Sequence, residues 1–246
     1  MAKVVGLIPS YLACSRFPGK ALADISGMPL VVHTVKRSQL SDQLNRVIVC
    51  TDSKDIAVTC DNYDIECLVT EGEFLNGTER IASVSKSIDF DFAIDIYGDE
   101  PLIDPLHIDS VAKCIVANRR CEDIVIPTLN VPYSSPDTII RVQASLSGKV
   151  MTLSRGNIPY QYAKPCQFVQ KHLSIIGFTK KALLKYANLP PSPNEQSESI
   201  ELLRAIENDM NVFSLPLSGF PGSVHLEDDL LRVRVALQSD RYFGAY

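Results

Sequence analysis

The sequence predicts an α/β fold in which a mostly parallel sheet is flanked by helices and carries a small β-hairpin subregion. In the first part of the chain, short β-branched apolar runs alternate with segments whose apolar residues recur at helical spacing, as in successive βαβ units. Several of these runs end in polar loops, which is typical of strands whose carboxyl ends border a ligand crevice. We expect one domain over residues 1–246, with a hairpin excursion at about residues 130–170.

The first half of the chain follows the βαβ pattern. Pro29 stands at the start of the first helical segment, where proline is well tolerated. The predicted strands are residues 4–8, 46–50, 66–70 and 92–96, and the predicted helices are residues 30–40, 54–60 and 81–88, with a further helix beginning near Pro105.

The second half departs from this pattern. Two strand-like runs flank Leu146-Ser147-Gly148, which indicates a β-hairpin. Residues 189–193 contain three prolines and resemble a linker, but the run is too short to separate domains. The predicted strands are residues 123–131, 139–144, 149–154, 172–178 and 212–217, and the predicted helices are residues 179–186, 197–207 and 227–237.

The composition narrows the possible functions. A net charge of −5 argues against a general nucleic-acid binder, because such proteins need excess cations to neutralise phosphates. Neither a secretion signal nor an apolar run of about 18–20 residues is present in the sequence, so we expect a cytoplasmic protein without a membrane partner. The seven cysteines are scattered, which predicts mostly buried thiols rather than a zinc site or disulfides, and Cys14 is the exception because it lies in a basic loop.

That basic loop follows the first predicted strand. Arg16 and Lys20 flank a Pro-Gly pair, which favours a turn and lets the backbone approach a ligand closely. The loop lacks the spacing of a Walker A motif. It predicts a polyphosphate site, and the alternative is a surface loop with solvated charges.

Two further polar segments follow predicted strands. Gly77 and Thr78 precede a predicted helix, where backbone and hydroxyl groups suit a base or ribose, although a plain helix cap explains the same residues. Asp99 follows Gly98 after a very apolar strand, where a carboxylate is well placed to hold Mg²⁺. The alternative is that Asp99 only caps the helix that begins near Pro105.

Together with several other motifs, in chain order, these segments resemble the CMP-Kdo synthetases, which are 3-deoxy-manno-octulosonate cytidylyltransferases. The resemblance covers nearly the whole chain and implies a Rossmann-like nucleotidyltransferase sheet. The motifs are Pro9 with Ser15-Arg16-Phe17-Pro18-Gly19-Lys20, Thr51-Asp52, Gly77-Thr78-Glu79-Arg80, Gly98-Asp99-Glu100-Pro101, Ser154-Arg155 with Ile158-Pro159-Tyr160, His172, and Glu198 through Arg204.

The resemblance implies a reaction and its participants. The anomeric hydroxyl of Kdo or a Kdo-like acidic sugar attacks the α-phosphorus of CTP, which gives a CMP-sugar and pyrophosphate for lipopolysaccharide or capsule precursors. Charge neutralisation, alignment and Mg²⁺, with Mn²⁺ as the other candidate metal, are sufficient for such chemistry. A homodimer is also implied, with the hairpin excursion at about residues 130–170 as its dimerisation region.

The resemblance further implies roles for individual residues. Arg16, Lys20 and Asp99 are the expected catalytic residues, and Arg80 is the expected partner of the sugar carboxylate because its planar fork suits two oxygens. The expected nucleotide-binding residues are Ser15, Arg16, Lys20, Gly77 and Thr78; the sugar-binding residues are Arg80, Tyr97, His172 and Glu201; and the metal ligands are Asp99 and His225.

This chain departs from the family pattern at five positions. Tyr11 replaces a phosphate-side Arg, and His225 replaces an Asp that serves as the second magnesium ligand. Imidazole is a poor ligand for Mg²⁺. Three outcomes are therefore open: His225 binds a softer ion such as Mn²⁺, Asp228 supplies the metal ligand instead, or catalysis is lost. The remaining alternative is that His225 is an ordinary surface or core histidine with no role at the metal. The three other changes, on the sugar side, are Tyr97 for Gln, Ile176 for Tyr and Leu202 for Gln.

These departures keep three hypotheses open. The first is a cytidylyltransferase for Kdo or for a sugar acid with one hydroxyl replaced, because the altered positions remove hydrogen-bonding groups. The second is a catalytically impaired relative that binds a nucleotide or a partner protein. The third is a nucleotidyltransferase that uses a different sugar and a different base.

Overall fold

A computed structural model describes residues 2–13, 17–117, 123–135, 139–219, 223–224 and 226–246. The helices within these ranges are α1 (Leu30–Ser38), α2 (Lys54–Asn62), α3 (Gly77–Val84), α4 (Pro105–Ala117), α5 (Lys180–Ala187), α6 (Pro193–Glu198), α7 (Leu202–Glu207) and α8 (Glu227–Leu237). The strands are β1 (Val4–Ser10), β2 (Asp24–Ile25), β3 (Met28–Pro29), β4 (Arg46–Thr51), β5 (Cys67–Val69), β6 (Phe92–Ile96), β7 (Ile124–Pro132), β8 (Arg141–Ala144), β9 (Val150–Ser154), β10 (Phe168–His172), β11 (Ile175–Thr179) and β12 (Val212–Leu217).

Ten of these strands form one sheet, in the order β5-β4-β1-β6-β11-β7-β10-β8-β9, with β12 paired in parallel to β7. Seven of the ten run in one direction, and only β9, β10 and β11 oppose them. The predicted α/β class with a mostly parallel sheet is confirmed. The hairpin predicted after residue 139 is also confirmed as β8–β9, and because β8 pairs with β10, it extends the main sheet.

The alternation of side chains along β1 explains the two layers of helices. Val5 and Leu7 belong to one buried apolar cluster, whereas Val4 and Ile8 belong to another. Successive residues of a strand point to opposite faces, so a strand covered on both sides is apolar throughout. Helices α3, α5 and α7 contribute to the first cluster, and α1, α2 and α4 contribute to the second. No helix within the described ranges is both long and apolar enough to cross a membrane.

One long antiparallel segment bends in the middle and so reaches both halves of the sheet. Its first part, β10, lies between β7 and β8, and its second part, β11, lies between β6 and β7. The bend falls at Leu173 and Ser174, next to the end of β6, where the Tyr97 amide donates to the Ser174 carbonyl. This arrangement carries residues of β10 to the carboxyl end of the central strands.

Two helical regions differ most from the prediction. The prediction started a helix at Ile81, but α3 begins at Gly77 because the Asn76 side chain accepts a hydrogen bond from the Glu79 amide at 2.9 Å. The single helix predicted over residues 197–207 is two helices, α6 and α7. They are separated at Ser199, whose φ of 52° lies in the left-handed region and ends α6.

Candidate active site

A cavity of about 770 Å³ opens where β1 and β6 end. The loops after these two strands, the start of α3, the bend after β10 and the segment between α6 and α7 all contribute to its walls. The structure therefore brings together six residues that the sequence predicts for the site: Lys20, Gly77, Tyr97, Asp99, His172 and Glu201.

Two glycines allow the walls of the cavity to come together. A Cβ atom on Gly98 would lie 2.8 Å from the Pro9 carbonyl oxygen, and a Cβ atom on Gly77 would lie 2.9 Å from the Pro9 Cγ atom. Both distances are shorter than side chains tolerate, so any larger residue forces the backbone apart. The loop after β6 and the start of α3 thus pack directly against the end of β1.

Lys20 and Asp99 form a close ion pair at one end of the cavity. Gly19 has a φ of 74°, and it leads into a short 3₁₀ turn that begins at Lys20. The Lys20 Nζ atom donates to Asp99 Oδ2 at 2.6 Å and to the Val224 carbonyl oxygen at 3.0 Å. The Val224 amide donates in turn to the Asp99 carbonyl oxygen at 3.0 Å. The cation and the carboxylate thus occupy adjacent, fixed positions.

Glu100 adds a second carboxyl group behind Asp99. It is buried and accepts a hydrogen bond from the Ser223 hydroxyl. Burial, together with the charge of Asp99, raises the pKa of Glu100 to about 7. Glu100 therefore ties residues 223–224 to the loop that carries Asp99.

A buried hydrogen-bonded chain lies at a second end of the cavity, formed by Tyr97 and Glu201. The Tyr97 hydroxyl donates to Glu201 Oε1, and the Thr78 amide donates to Glu201 Oε2 at 3.2 Å. The Thr78 hydroxyl donates to Asp95 Oδ2 at 3.1 Å. Burial raises the pKa of Glu201, and burial together with the charge of Glu201 raises the pKa of Asp95. Thr78 holds two carboxyl groups in place instead of lining the cavity.

His172 lines the cavity next to Tyr97. Burial lowers the pKa of its imidazole to about 4, so the ring is neutral at neutral pH. The ring lies edge-on to Tyr97, with 6.4 Å between the centroids. Its Nε2 atom is buried without a hydrogen-bond partner in the described part of the protein. Such an atom is available to a ligand hydroxyl group.

Arg80 is placed differently from the prediction, because it does not line the cavity. Its guanidinium donates to Thr70 Oγ1 at 2.7 Å and to Asp52 Oδ2 at 2.8 Å. The same group lies 5.0 Å from the ring centroid of Phe74 and 5.9 Å from that of Tyr11. These contacts attach α3 to the ends of β4 and β5, and they leave the sugar-binding role of Arg80 without geometric support.

The remaining predicted residues are Ser15, Arg16 and His225, and all three lie outside the described residues. Within those ranges no three His, Cys, Asp or Glu side chains form a metal cluster. Among the described residues, the aspartates that line the cavity are Asp99 and Asp229. A metal that takes most of its ligands from a substrate needs no larger set of protein carboxylates.

The sequence reasoning missed Lys171, Ser174 and Asp229, which also line the cavity. Lys171 directly precedes the strand predicted over residues 172–178, and its place beside His172, a predicted site residue, is the signal that could have identified it. No individual role was predicted for Arg155. Its amide donates to Glu198 Oε2 at 2.6 Å, and its Nε donates to the Glu198 carbonyl oxygen at 2.9 Å. This contact attaches the β8–β9 hairpin to α6.

Comparisons with known proteins agree with this geometry. A family model described as cytidylyltransferase matches residues 5–212. The 3-deoxy-manno-octulosonate cytidylyltransferase of Chlorobium limicola is 37% identical, covering 94% of this chain and 96% of the relative. The enzyme of the same name from Polynucleobacter asymbioticus is 36% identical, covering 94% of each chain.

The fold has a close counterpart among solved structures. CMP:2-keto-3-deoxy-manno-octonic acid synthetase complexed with CTP superposes with a TM-score of 0.91 and 25% sequence identity, covering 96% of this chain and 99% of that one. The family model spans most of the sequence, and the relatives match over nearly their whole length. The chain therefore belongs to the 3-deoxy-manno-octulosonate cytidylyltransferases.

Proposed function

We propose that this protein transfers CMP from CTP to the anomeric hydroxyl of Kdo or a Kdo-like acidic sugar and releases pyrophosphate. The observation that carries the proposal is the contact of Lys20 with Asp99 at the wall of a cavity of about 770 Å³. A fixed cation beside a hard oxygen ligand suits the charge of a triphosphate and its metal ion. Family membership supports the same reaction.

Residues at one end of the cavity act on the nucleotide, and residues at the other end contact the sugar. In the reaction, the sugar oxygen forms a bond to the α-phosphorus of CTP, and the bond from that phosphorus to the departing pyrophosphate breaks. Lys20 binds phosphate oxygens and neutralises the negative charge that grows on the leaving group. Gly77 lines the cavity at the start of α3, where we place the nucleoside.

We propose Mg²⁺ as the metal, with Mn²⁺ as the alternative, and Asp99 as its protein ligand. When bound, the metal neutralises phosphate charge and polarises the α-phosphorus. Magnesium is held in such sites by one or two carboxylates together with substrate phosphates, which fits the few acidic side chains at this end. His225 stays the second predicted ligand.

At the other end, the sugar meets a neutral imidazole and a carboxyl group that is already held. His172 offers its unpartnered Nε2 atom to a sugar hydroxyl, and Glu201 is fixed by Tyr97 and Thr78. Leu202 lines the cavity and provides only apolar contact, whereas Ile176 is fully buried in the core. An apolar wall favours a sugar acid in which one hydroxyl is replaced, and such acids belong in the substrate panel.

The biological setting is part of the proposal. A product of this kind serves lipopolysaccharide or capsule synthesis, in the cytoplasm, where CTP is made available. A homodimer is the expected assembly, with the β8–β9 hairpin as the first region to test. Size-exclusion chromatography with light scattering tests the dimer directly.

Pyrophosphate release from CTP and Kdo, measured with Mg²⁺ and separately with Mn²⁺, tests the proposal. We expect release that requires the protein, the metal and the sugar acid together. UTP, ATP and GTP in place of CTP serve as matched controls for the base. If CTP binds but no acidic sugar causes release, the chain is a binding relative without turnover, and if another base works better, the nucleotide assignment is wrong.

A further inference from the structure

Four cationic side chains in the described part of the chain line the cavity, and three of them are engaged. Lys20 bonds to Asp99. Arg155 bonds to the carbonyl oxygens of Glu198 and Ser199, and Arg232 pairs with Asp229. The fourth cation is Lys171.

Lys171 carries a partly buried ammonium group without a local partner. Within the described residues, it forms no side-chain hydrogen bond and no ion pair. The charge of Glu100 acts on it from a longer distance, and burial lowers the pKa of Lys171. A half-buried cation of this kind gains more from an incoming anion than a solvated surface lysine does.

The location of Lys171 indicates which anionic group of a substrate it can contact. It precedes His172 on β10, three residues before Ser174 at the bend beside the end of β6. The interaction with Glu100 also places Lys171 towards the loop that carries Asp99. Lys171 thus lines the same cavity as His172 and Asp99, and its charge acts on Glu100, the residue that follows Asp99.

The chemistry of a 2-keto sugar acid fits this position. In its cyclic form the carboxylate is bonded to the anomeric carbon, which also carries the hydroxyl that attacks the α-phosphorus. The carboxylate must therefore lie within a few bonds of the reacting oxygen, close to Asp99 and the phosphates. A cation at the far end of the sugar, or one outside the cavity like Arg80, does not meet this requirement.

We propose that Lys171 binds the carboxylate of the acidic sugar and so selects 2-keto sugar acids over neutral sugars. This inference rests on the proposed function and assigns the acid-recognition role to a residue other than Arg80. An ammonium–carboxylate contact of this kind strengthens binding of the acid and leaves the binding of CTP unchanged.

Calorimetry on Lys171→Met tests the proposal, because methionine keeps the length of the stem and removes only the charge. The probes are Kdo and Kdo in which the carboxylate is converted to the carboxamide, each titrated in the presence of Mg²⁺ and a CTP analogue with a methylene group between the α- and β-phosphorus atoms. Lys181→Met is the matched control, because Lys181 is an exposed lysine on α5. Thermal unfolding of each variant reports on the fold.

We expect Lys171→Met to weaken Kdo binding at least tenfold and to leave CTP-analogue binding within twofold. The carboxamide is expected to bind wild type and Lys171→Met equally, and Lys171→Arg restores most of the affinity for Kdo. Equal binding of Kdo to wild type and Lys171→Met overturns the inference while leaving the proposed function standing. Loss of CTP-analogue binding with Kdo binding unchanged overturns it in favour of a phosphate contact. If wild type binds the CTP analogue but no sugar acid, both proposals fail.

Discussion

Replacing Lys20 by methionine tests the arrangement at the phosphate end most completely. The substitution removes an ammonium group whose side chain is only 12% exposed, beside a carboxylate that is 20% exposed. Two contacts disappear, one to Asp99 and one to the Val224 carbonyl oxygen. Both the chemistry and the stability of the free protein should respond.

The expected loss of activity follows from the role of the charge. A fixed donor that faces developing negative charge in a covered site contributes about 3–4 kcal/mol to transition-state stabilisation, so kcat should fall by a factor of about 10²–10³. The unfolding free energy should fall by about 1–3 kcal/mol, because a mostly covered carboxylate loses one of its charged contacts. The fold itself is expected to persist, since Lys20 is not part of the apolar clusters.

Steady-state pyrophosphate release and urea unfolding measure these two effects separately. Lys181→Met, an exposed change of equal charge, should leave both within error of wild type. The reasoning is refuted if Lys20→Met retains kcat within threefold of wild type at saturating CTP and Mg²⁺, because Lys20 then does not act on the leaving group.

Three further substitutions probe other parts of the account. Asp99→Asn should lower kcat at least a hundredfold and raise the Mg²⁺ concentration for half-maximal rate, as followed by metal titration, whereas exposed Asp61→Asn should change neither. Gly98→Ala should lower the unfolding free energy by about 1–3 kcal/mol in urea, because the new Cβ would stand 2.8 Å from the Pro9 carbonyl oxygen; unchanged stability would argue against this close packing. The folded-state pKa of His172, about 4, lies below its ordinary value of 6.5, so stability present above pH 6.5 is lost as the pH falls towards 4, by up to about 3 kcal/mol. His172→Asn should remove that part of the pH dependence in urea unfolding, and an identical pH profile would contradict a buried neutral imidazole.

The features that were predictable from the sequence are those set by local pattern. The alternation of apolar runs identified the strands, and the position of Lys20 and Asp99 in the loops that follow two parallel strands placed them at one edge of the sheet. Parallel strands have their carboxyl ends at the same edge of the sheet. The edge at which such a loop lies therefore follows from chain direction, and predicting it requires no knowledge of tertiary contacts.

The features that were not predictable depend on contacts between distant segments. The planar guanidinium of Arg80 suits a substrate carboxylate, but in the structure it forms an ion pair with Asp52. The pattern of apolar residues did not reveal the bend at Leu173, which carries Lys171 to the cavity. The break between α6 and α7 likewise lies where Arg155 from the hairpin holds the carbonyl oxygens of Glu198 and Ser199.

Identification of the reaction products is the decisive test of cytidylyl transfer to a sugar acid. Phosphorus NMR and mass spectrometry of a reaction with CTP, Kdo and Mg²⁺ should show one CMP-sugar and one pyrophosphate for each CTP consumed. CTP that stays intact with every sugar acid offered, while still binding to the protein, would contradict the account.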